Sequence, residues 1–212
     1  MKYTLLLLTV LLSVSSSAQT STTKLPEYFQ LATGISKHGT GDMSGYAIAI
    51  DYKRYLRQRT SISIGLATTI HDGVSLLLYT DPNNNPVDGS FRYGSSGIQL
   101  SARAGYSFVR SKRHTLEIQI GALVRYQTSS TYDERSTFFP ALTGYPVPLS
   151  YLVHLEKQQI VSLGGIGAFQ YQYHFASGDN IGFRSSLQTD TNGDVISMVS
   201  LLFGYRLRHE KK

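Results

Sequence analysis

Seven charged residues stand where charge is hard to place. Asp51, Lys53, Arg103, Glu117, Arg125, Arg184 and Arg206 each fall on the polar side of a segment that alternates between apolar and polar residues, and His71 sits on the same side of its own segment. Such a set could line an ion pathway, or it could fill a closed interior with ion pairs. The second reading is favoured, because a buried charge is costly unless it is paired and hydrogen-bonded. It couples Glu117 and Asp51 to arginines such as Arg103, Arg125 and Arg206. Cations exceed carboxylates in this set, so water, or an anion near a mouth, is needed to complete it.

Two further constellations carry the residue types of nucleophilic catalysis. They are His71, Asp72 and Ser75, and Ser150, His154 and Glu156. A Ser–His–acid arrangement needs hydrogen-bond reach from nucleophile to base and from base to orienting acid. Spacing alone is weak support, since these residues recur by chance in polar loops, and the chain reads as a non-enzyme. No cofactor and no metal are expected. The sequence has no cysteine, which removes disulfides, thiolate metal sites and a cysteine nucleophile. His38 with Asp42, and His114, read as solvated histidines at turns.

The elements that position these residues are strands. Tyr46, Ile48, Ile50 and Tyr52 alternate with Ala47, Ala49, Asp51 and Lys53, and Leu116, Ile118, Ile120, Val124 and Tyr126 alternate with Glu117, Gln119, Gly121, Arg125 and Gln127. A strand sends successive side chains to opposite faces, so each segment has one apolar and one polar face. Eight such segments are expected, at 28–37, 44–56, 60–72, 96–110, 114–128, 158–176, 180–189 and 195–208. The glycines at 164, 165 and 167 predict a bulge in the sixth, and Leu202 breaks the parity of the eighth.

Connections alternate in length. Tight turns fall at 56–59, 110–113 and 177–180, while longer loops fall at 38–43, 72–95 and 129–157, with a short one near 191–194. The two long loops carry apolar residues, Leu76, Leu77, Leu78 and Tyr79 in the first and Phe138, Phe139, Tyr145 and Tyr151 in the second. These form either a contact surface for a partner or a small outer core of packed hairpins.

The N-terminus reads as an export signal. One lysine precedes an apolar run from Leu5 to Leu12, and Ser15, Ser16, Ser17 and Ala18 follow. Residues 1–18 are therefore expected to be a signal peptide, with residues 19–212 forming one barrel domain. The chain is 16% charged, against roughly a quarter in average soluble proteins. The polar faces hold mostly Gly, Ser, Ala and Gln, as in Gly97, Gln99, Ser101, Arg103, Gly105 and Ser107. Small residues suit the inside of a narrow barrel, so the apolar faces are placed against lipid. A soluble barrel with the faces reversed ranks far behind. A closed sheet also pairs every backbone N–H and C=O, which hydrocarbon demands.

Aromatic residues gather at the strand ends near the tight turns, among them Phe29, Tyr52, Tyr55, Tyr106, Phe108, Tyr173, Phe183, Phe203 and Tyr205. Interfacial girdles have this composition. Basic residues crowd the same side, including Arg54, Arg57, Arg59, Arg110, Lys112 and Arg113, where anionic headgroups could sit.

The last segment, Val199, Leu201, Phe203, Tyr205 and Leu207, together with Ser17-Ala18-Gln19-Thr20, resembles the small eight-stranded outer-membrane barrels of Gram-negative bacteria. That group includes the OmpA transmembrane domain and the OmpX and OmpW types, and the texture is similar to the Bacteroidetes versions. The terminal strand departs from the pattern in being followed by Arg208-His209-Glu210-Lys211-Lys212 rather than ending on an aromatic residue. The resemblance implies an all-β, eight-stranded antiparallel up-and-down transmembrane β-barrel in the cell outer membrane, both termini periplasmic. Its implied partners are outer-membrane lipids, lipopolysaccharide and, during insertion, the barrel-assembly machinery. An extracellular or protein partner at the outer loops completes the expectation, and nucleic acid is excluded. A narrow channel for small or apolar solutes is the alternative role, and a lipid A-modifying enzyme stands behind both.

Overall fold

The structure, a computed structural model, describes residues 25–39, 43–75, 78–80, 85–88, 90–130, 134–144, 146, 149–153 and 157–207. Eight long strands build one closed wall. In chain order they are β1 (Glu27–His38), β2 (Met43–Tyr55), β3 (Thr60–Ser75), β6 (Phe91–Arg110), β7 (His114–Ser130), β10 (Lys157–His174), β11 (Asn180–Asp190) and β12 (Val195–Leu207). Every neighbour is antiparallel, and β1 closes the cylinder by pairing with both β2 and β12. The closing seam runs from Glu27 opposite Leu207 to His38 opposite Ile196 without a break.

These eight strands are the eight expected from alternation, and several run further at the long-loop end. β3 and β6 stay paired out to Ser75 opposite Phe91. The extra residues are 73–75 on β3 and 91–95 on β6, where the outward positions Arg92 and Gly94 interrupt the apolar face that Ile98 and Leu100 begin, so alternation does not mark them as strand. They need only a ladder partner to remain strands. The consequence is an uneven rim. β3, β6, β7 and β10 have 16, 20, 17 and 18 residues, whereas β1, β2, β11 and β12 have 12, 13, 11 and 13. The four tall strands are adjacent, so half of the wall rises above the other half.

Two short hairpins occupy the long connections. β4 (Leu78–Thr80) pairs with β5 (Pro86–Asp88), and β8 (Glu134–Phe138) pairs with β9 (Leu149–Val153). Between β8 and β9 lies one helical turn, α1 (Pro140–Thr143), entered through a proline and closed by Gly144. The expected export signal, residues 1–18, lies outside the described residues.

The pleat sorts the side chains as the alternation requires. Ile35, Ile48, Ile64, Leu66, Ile98, Leu100, Ile118, Ile120, Leu163, Leu187, Val199 and Leu201 stand on the outside, with Ile120 67% exposed. Gln30, Asp51, Lys53, Ser61, Gln99, Arg103, Glu117, Gln119, Arg125, Gln170 and Gln172 are buried inside. Two register expectations are corrected. β10 pairs with both neighbours without a shift through Gly164, Gly165 and Gly167, so no bulge lies there. The irregularity falls instead between Ser107 and Val109 on β6, and it turns both Phe108 and Val109 outward. Leu202 does not break the parity of β12; it keeps it by facing inward, fully buried.

Candidate functional site

The interior is built in tiers. At mid-height Asp51, carried by β2, takes a cation from each side. Arg103 donates to Oδ1, and Arg184 Nη1 donates to Oδ2 at 2.6 Å. Arg184 also donates to Gln170 at 3.1 Å and Gln30 at 3.3 Å. Toward the tight-turn end, Lys53 Nζ lies 2.8 Å from Glu117 Oε2, with both side chains sealed from solvent. Glu117 also accepts from Ser61 at 3.0 Å, Ser107 at 3.0 Å, Gln119 at 2.6 Å and Tyr55 at 3.4 Å. A carboxylate with five donors is well compensated for burial.

Toward the long-loop end Arg125 is treated differently. Its three donors go to neutral groups, Gln127 at 2.8 Å, Gln99 at 3.2 Å and Thr69 at 2.9 Å. Gln99 and Gln188 bridge the lumen by two reciprocal amide bonds of 2.8 Å. Ala47, Ile196 and Met198 form an apolar patch beside this tier. The gap left among Ala32, Asp51, Gln99, Arg103, Ile166 and Arg184 is about 20 Å3, room for about one water molecule.

Two glycines make the packing feasible. A Cβ on Gly65 would overlap Asp51 Oδ1, because the two residues face each other across β2 and β3. A Cβ on Gly97 would lie 2.6 Å from the Arg125 guanidinium carbon. Each polar group lies flat against bare backbone.

The expected partners therefore need correction. Glu117 pairs with a lysine rather than an arginine, and Arg125 bonds amides and a hydroxyl rather than either carboxylate. Arg206 does not join the interior; it is exposed at the tight-turn mouth. Tyr55 departs from the interfacial girdle and turns inward, where Arg110 stacks 3.9 Å from its ring centroid. Phe169, not anticipated at all, joins Phe108 and Phe183 on the outer wall with ring centroids 6.1 and 6.4 Å apart. The apolar inward residues Leu123, Ile166, Ile196 and Met198 join Leu202 in the lumen without a sequence signal, since a polar lumen is the expectation.

The long-loop mouth holds a cluster that alternation could not reveal. His71 Nε2 lies 2.8 Å from Ser36 Oγ, and the His71 ring centroid is 5.2 Å from that of His38. His38 Nε2 stands 3.5 Å from Asp194 Oδ2, an ion-pair contact without hydrogen-bond geometry. Gln127 at 2.9 Å and Asn192 at 3.1 Å donate to the same oxygen. The His38 ring, aided by those amides, holds the Asp194 carboxyl down at about 2.

The first catalytic constellation does not assemble. His71 faces the lumen, whereas Asp72 faces outward and binds Arg92. His71 Nδ1 has no hydrogen-bond partner among the described residues, so no acid orients the Ser36–His71 pair. In the second constellation His154 and Glu156 lie outside the described residues, and Ser150 is described only as part of β9.

Of the expected contact surface, Leu76, Leu77 and Tyr145 lie outside the described residues. Leu78 and Tyr79 belong to β4, Phe138 to β8 and Tyr151 to β9. Phe139 is 62% exposed beside α1, and Leu142, not singled out from the sequence, is 78% exposed on it.

A closed eight-stranded antiparallel wall, apolar outside and filled with paired polar groups inside, defines a small outer-membrane β-barrel. Neither a family model nor a curated protein matches the chain. Solved structures do. The crystal structure of Ail, the attachment invasion locus protein of Yersinia pestis, is similar at a TM-score of 0.51 and 9% identity, over 87% of this chain and 99% of that one. The same protein in complex with the heparin analogue sucrose octasulfate gives 0.50 and 11%, over 86% and 99%. Neisserial surface protein A gives 0.53 and 10%, over 85% and 97%. Identities this low establish the shared fold.

Proposed function

We propose that this is a non-enzymatic barrel resident in the cell outer membrane, both termini in the periplasm, acting through what its long-loop end presents outside. The filled interior carries this reading. With a gap of only about 20 Å3 beside the bonded Asp51, Arg103 and Arg184, and with Lys53 bonded to Glu117 nearer the tight turns, the axis offers no path for a solute. Activity is then left to the rim, where four tall strands raise two hairpins and exposed Phe139 and Leu142. Short turns face the periplasm and longer loops the exterior in barrels of this kind. The outer wall takes membrane lipid and lipopolysaccharide, and insertion runs through the barrel-assembly machinery. The export signal at 1–18 belongs to the same reading.

The likeness to an attachment protein, and that protein's complex with a heparin analogue, supports contact with host-type or matrix surfaces. Outer-membrane vesicles bearing the intact protein should adhere to immobilised heparin or matrix protein. Vesicles bearing a barrel whose segment 131–156 is replaced by a short Gly-Ser turn should not. Equal adhesion by the two would end the loop-display reading. A large steady conductance in planar bilayers would restore the channel.

A further inference from the structure

The tight-turn mouth is an open cavity of about 650 Å3. Four cations line it, Arg110 and the adjacent Lys112 and Arg113 from the β6–β7 turn and Arg206 from the end of β12. Among the described residues no carboxylate lines it. Asp179, on the neighbouring β10–β11 turn, is engaged otherwise, accepting from the Arg206 backbone N–H at 3.0 Å and from Ser177 Oγ at 2.8 Å.

The floor is sealed. Tyr28 packs edge-on to Tyr55 with centroids 6.2 Å apart, and His174, bonded to Thr115 at 3.0 Å, lies 5.9 Å from Tyr28. A ligand entering here stops against rings and does not reach Lys53 or Glu117. One side of the rim is aromatic, Tyr173 standing edge-on to Phe175 at 5.5 Å.

We infer that this mouth is a binding site for a phosphoryl anion carried on a small apolar or aromatic body. Like charges around a concave, low-dielectric surface focus a positive potential that an anion relieves. Guanidinium forks match phosphoryl oxygens two at a time. The aromatic rim offers a face to an organic body. The volume lies within the range of small-molecule sites, roughly 300–1,000 Å3. The anion comes either from the periplasmic fluid or from a lipid headgroup that folds into the mouth. The site is independent of the outer loops, so it stands whether or not the adhesion reading survives.

Calorimetry on the full barrel in a non-ionic detergent tests it, with inorganic phosphate and phenyl phosphate as probes. Phenyl phosphate should bind, more tightly than phosphate, and weaken as salt is raised. Arg113→Gln with Arg206→Gln should weaken it roughly tenfold or more, while Arg57→Gln with Arg59→Gln should leave it unchanged. Lys112→Gln, at an exposed turn tip, should weaken it less and guards against a folding defect in the double variant. Repeating the titration in nanodiscs of phosphatidylcholine with and without phosphatidylglycerol separates the sources. Competition by phosphatidylglycerol assigns the site to headgroups, and indifference assigns it to soluble anions. Absence of binding, or equal loss in the Arg57/Arg59 control, overturns the inference.

Discussion

Arg103 and Arg184 on one tier, and Arg125 on the next, are buried alike and held differently. The first two share the carboxylate of Asp51, while Arg125 receives only amides and a hydroxyl. The tiers differ in depth. Arg125 lies four residues nearer the long-loop end than the β7 residue facing Arg103, and it sits under the mouth cluster of His38, His71 and Asp194. A guanidinium near a wet, acidic rim can be stabilised by dipoles. At mid-barrel, with lipid outside and a gap of only about 20 Å3 inside, a formal counter-charge is needed. The contrast teaches that this lumen is closed by charge at its middle and by amide packing toward its outer end.

Asp51→Ala is the strongest way to break that contrast. It strands Arg103 and Arg184 together and should cost about 3–5 kcal/mol, the penalty for an uncompensated buried charge. Arg125→Met removes the charge along with its donors and should cost less than about 2 kcal/mol, since only neutral acceptors are orphaned. Urea unfolding of the barrel in lipid vesicles reads both values, and equal losses would erase the distinction. Lys53 and Glu117 sharpen it. Glu117→Gln alone leaves a buried ammonium without its partner and should cost about 3 kcal/mol, most of which the double variant Lys53→Met, Glu117→Gln should recover. A double variant worse than the single would mean that Glu117 acts mainly through Ser61, Ser107 and Gln119.

The glycines give a smaller and more geometric test. Asp51 is short and held from two sides, so a methyl at Gly65 forces the ion pairs apart. Arg125 is long, and its tip can slide from a methyl at Gly97. Gly65→Ala should therefore cost about 1–3 kcal/mol, the range of overpacked cores, and Gly97→Ala less than half of that. The reverse order, in the same urea titration, would place the rigid centre at Arg125 instead.

Which of these features could be read beforehand follows from what a strand writes into sequence. Alternation records the face of each residue, so Ile120 outside and Arg103 inside were both legible, as was closure into eight strands. It does not record height or partner. Arg206 has the right parity for the lumen but ends at the mouth, because β12 is nearly finished where it stands. Glu117 meets Lys53 rather than an arginine because β2 and β7, three places apart in the wall, bring them together inside the lumen, a relation without local signal. Leu202, and Ile196 beside it, depart from a polar lumen for a different reason. A lumen filled by side chains accepts hydrocarbon wherever neighbouring polar groups already satisfy one another. The Ser36, His38, His71 and Asp194 cluster joins β1, β3 and the last turn, and no spacing rule connects those segments.

Asp194 tests the outer tier by titration. It stands on the β11–β12 turn, outside the membrane-spanning strands, with His38, Gln127 and Asn192 on its oxygen. Its carboxyl is held at about 2, against an ordinary value of 3.8. A depressed acid contributes stability that is complete above its unfolded value and fades as pH falls toward its folded one. Most of the loss thus falls between pH 4 and pH 2, with tails to about pH 5 and pH 1, and for a part-exposed group it amounts to about 1–2 kcal/mol. Other carboxylates titrate in the same interval, so the informative quantity is the difference between the native barrel and Asp194→Asn. That difference should be full at pH 5, shrink steadily below pH 4 and fall to a small remainder at pH 2, followed by urea midpoints at each pH. A difference independent of pH would mean that folding leaves the Asp194 carboxyl at its ordinary value, so that neither His38 nor the amides favour its charged form. The outer tier would then hold Arg125 without help from a favoured carboxylate, and its contrast with the Asp51 clamp would be sharper still.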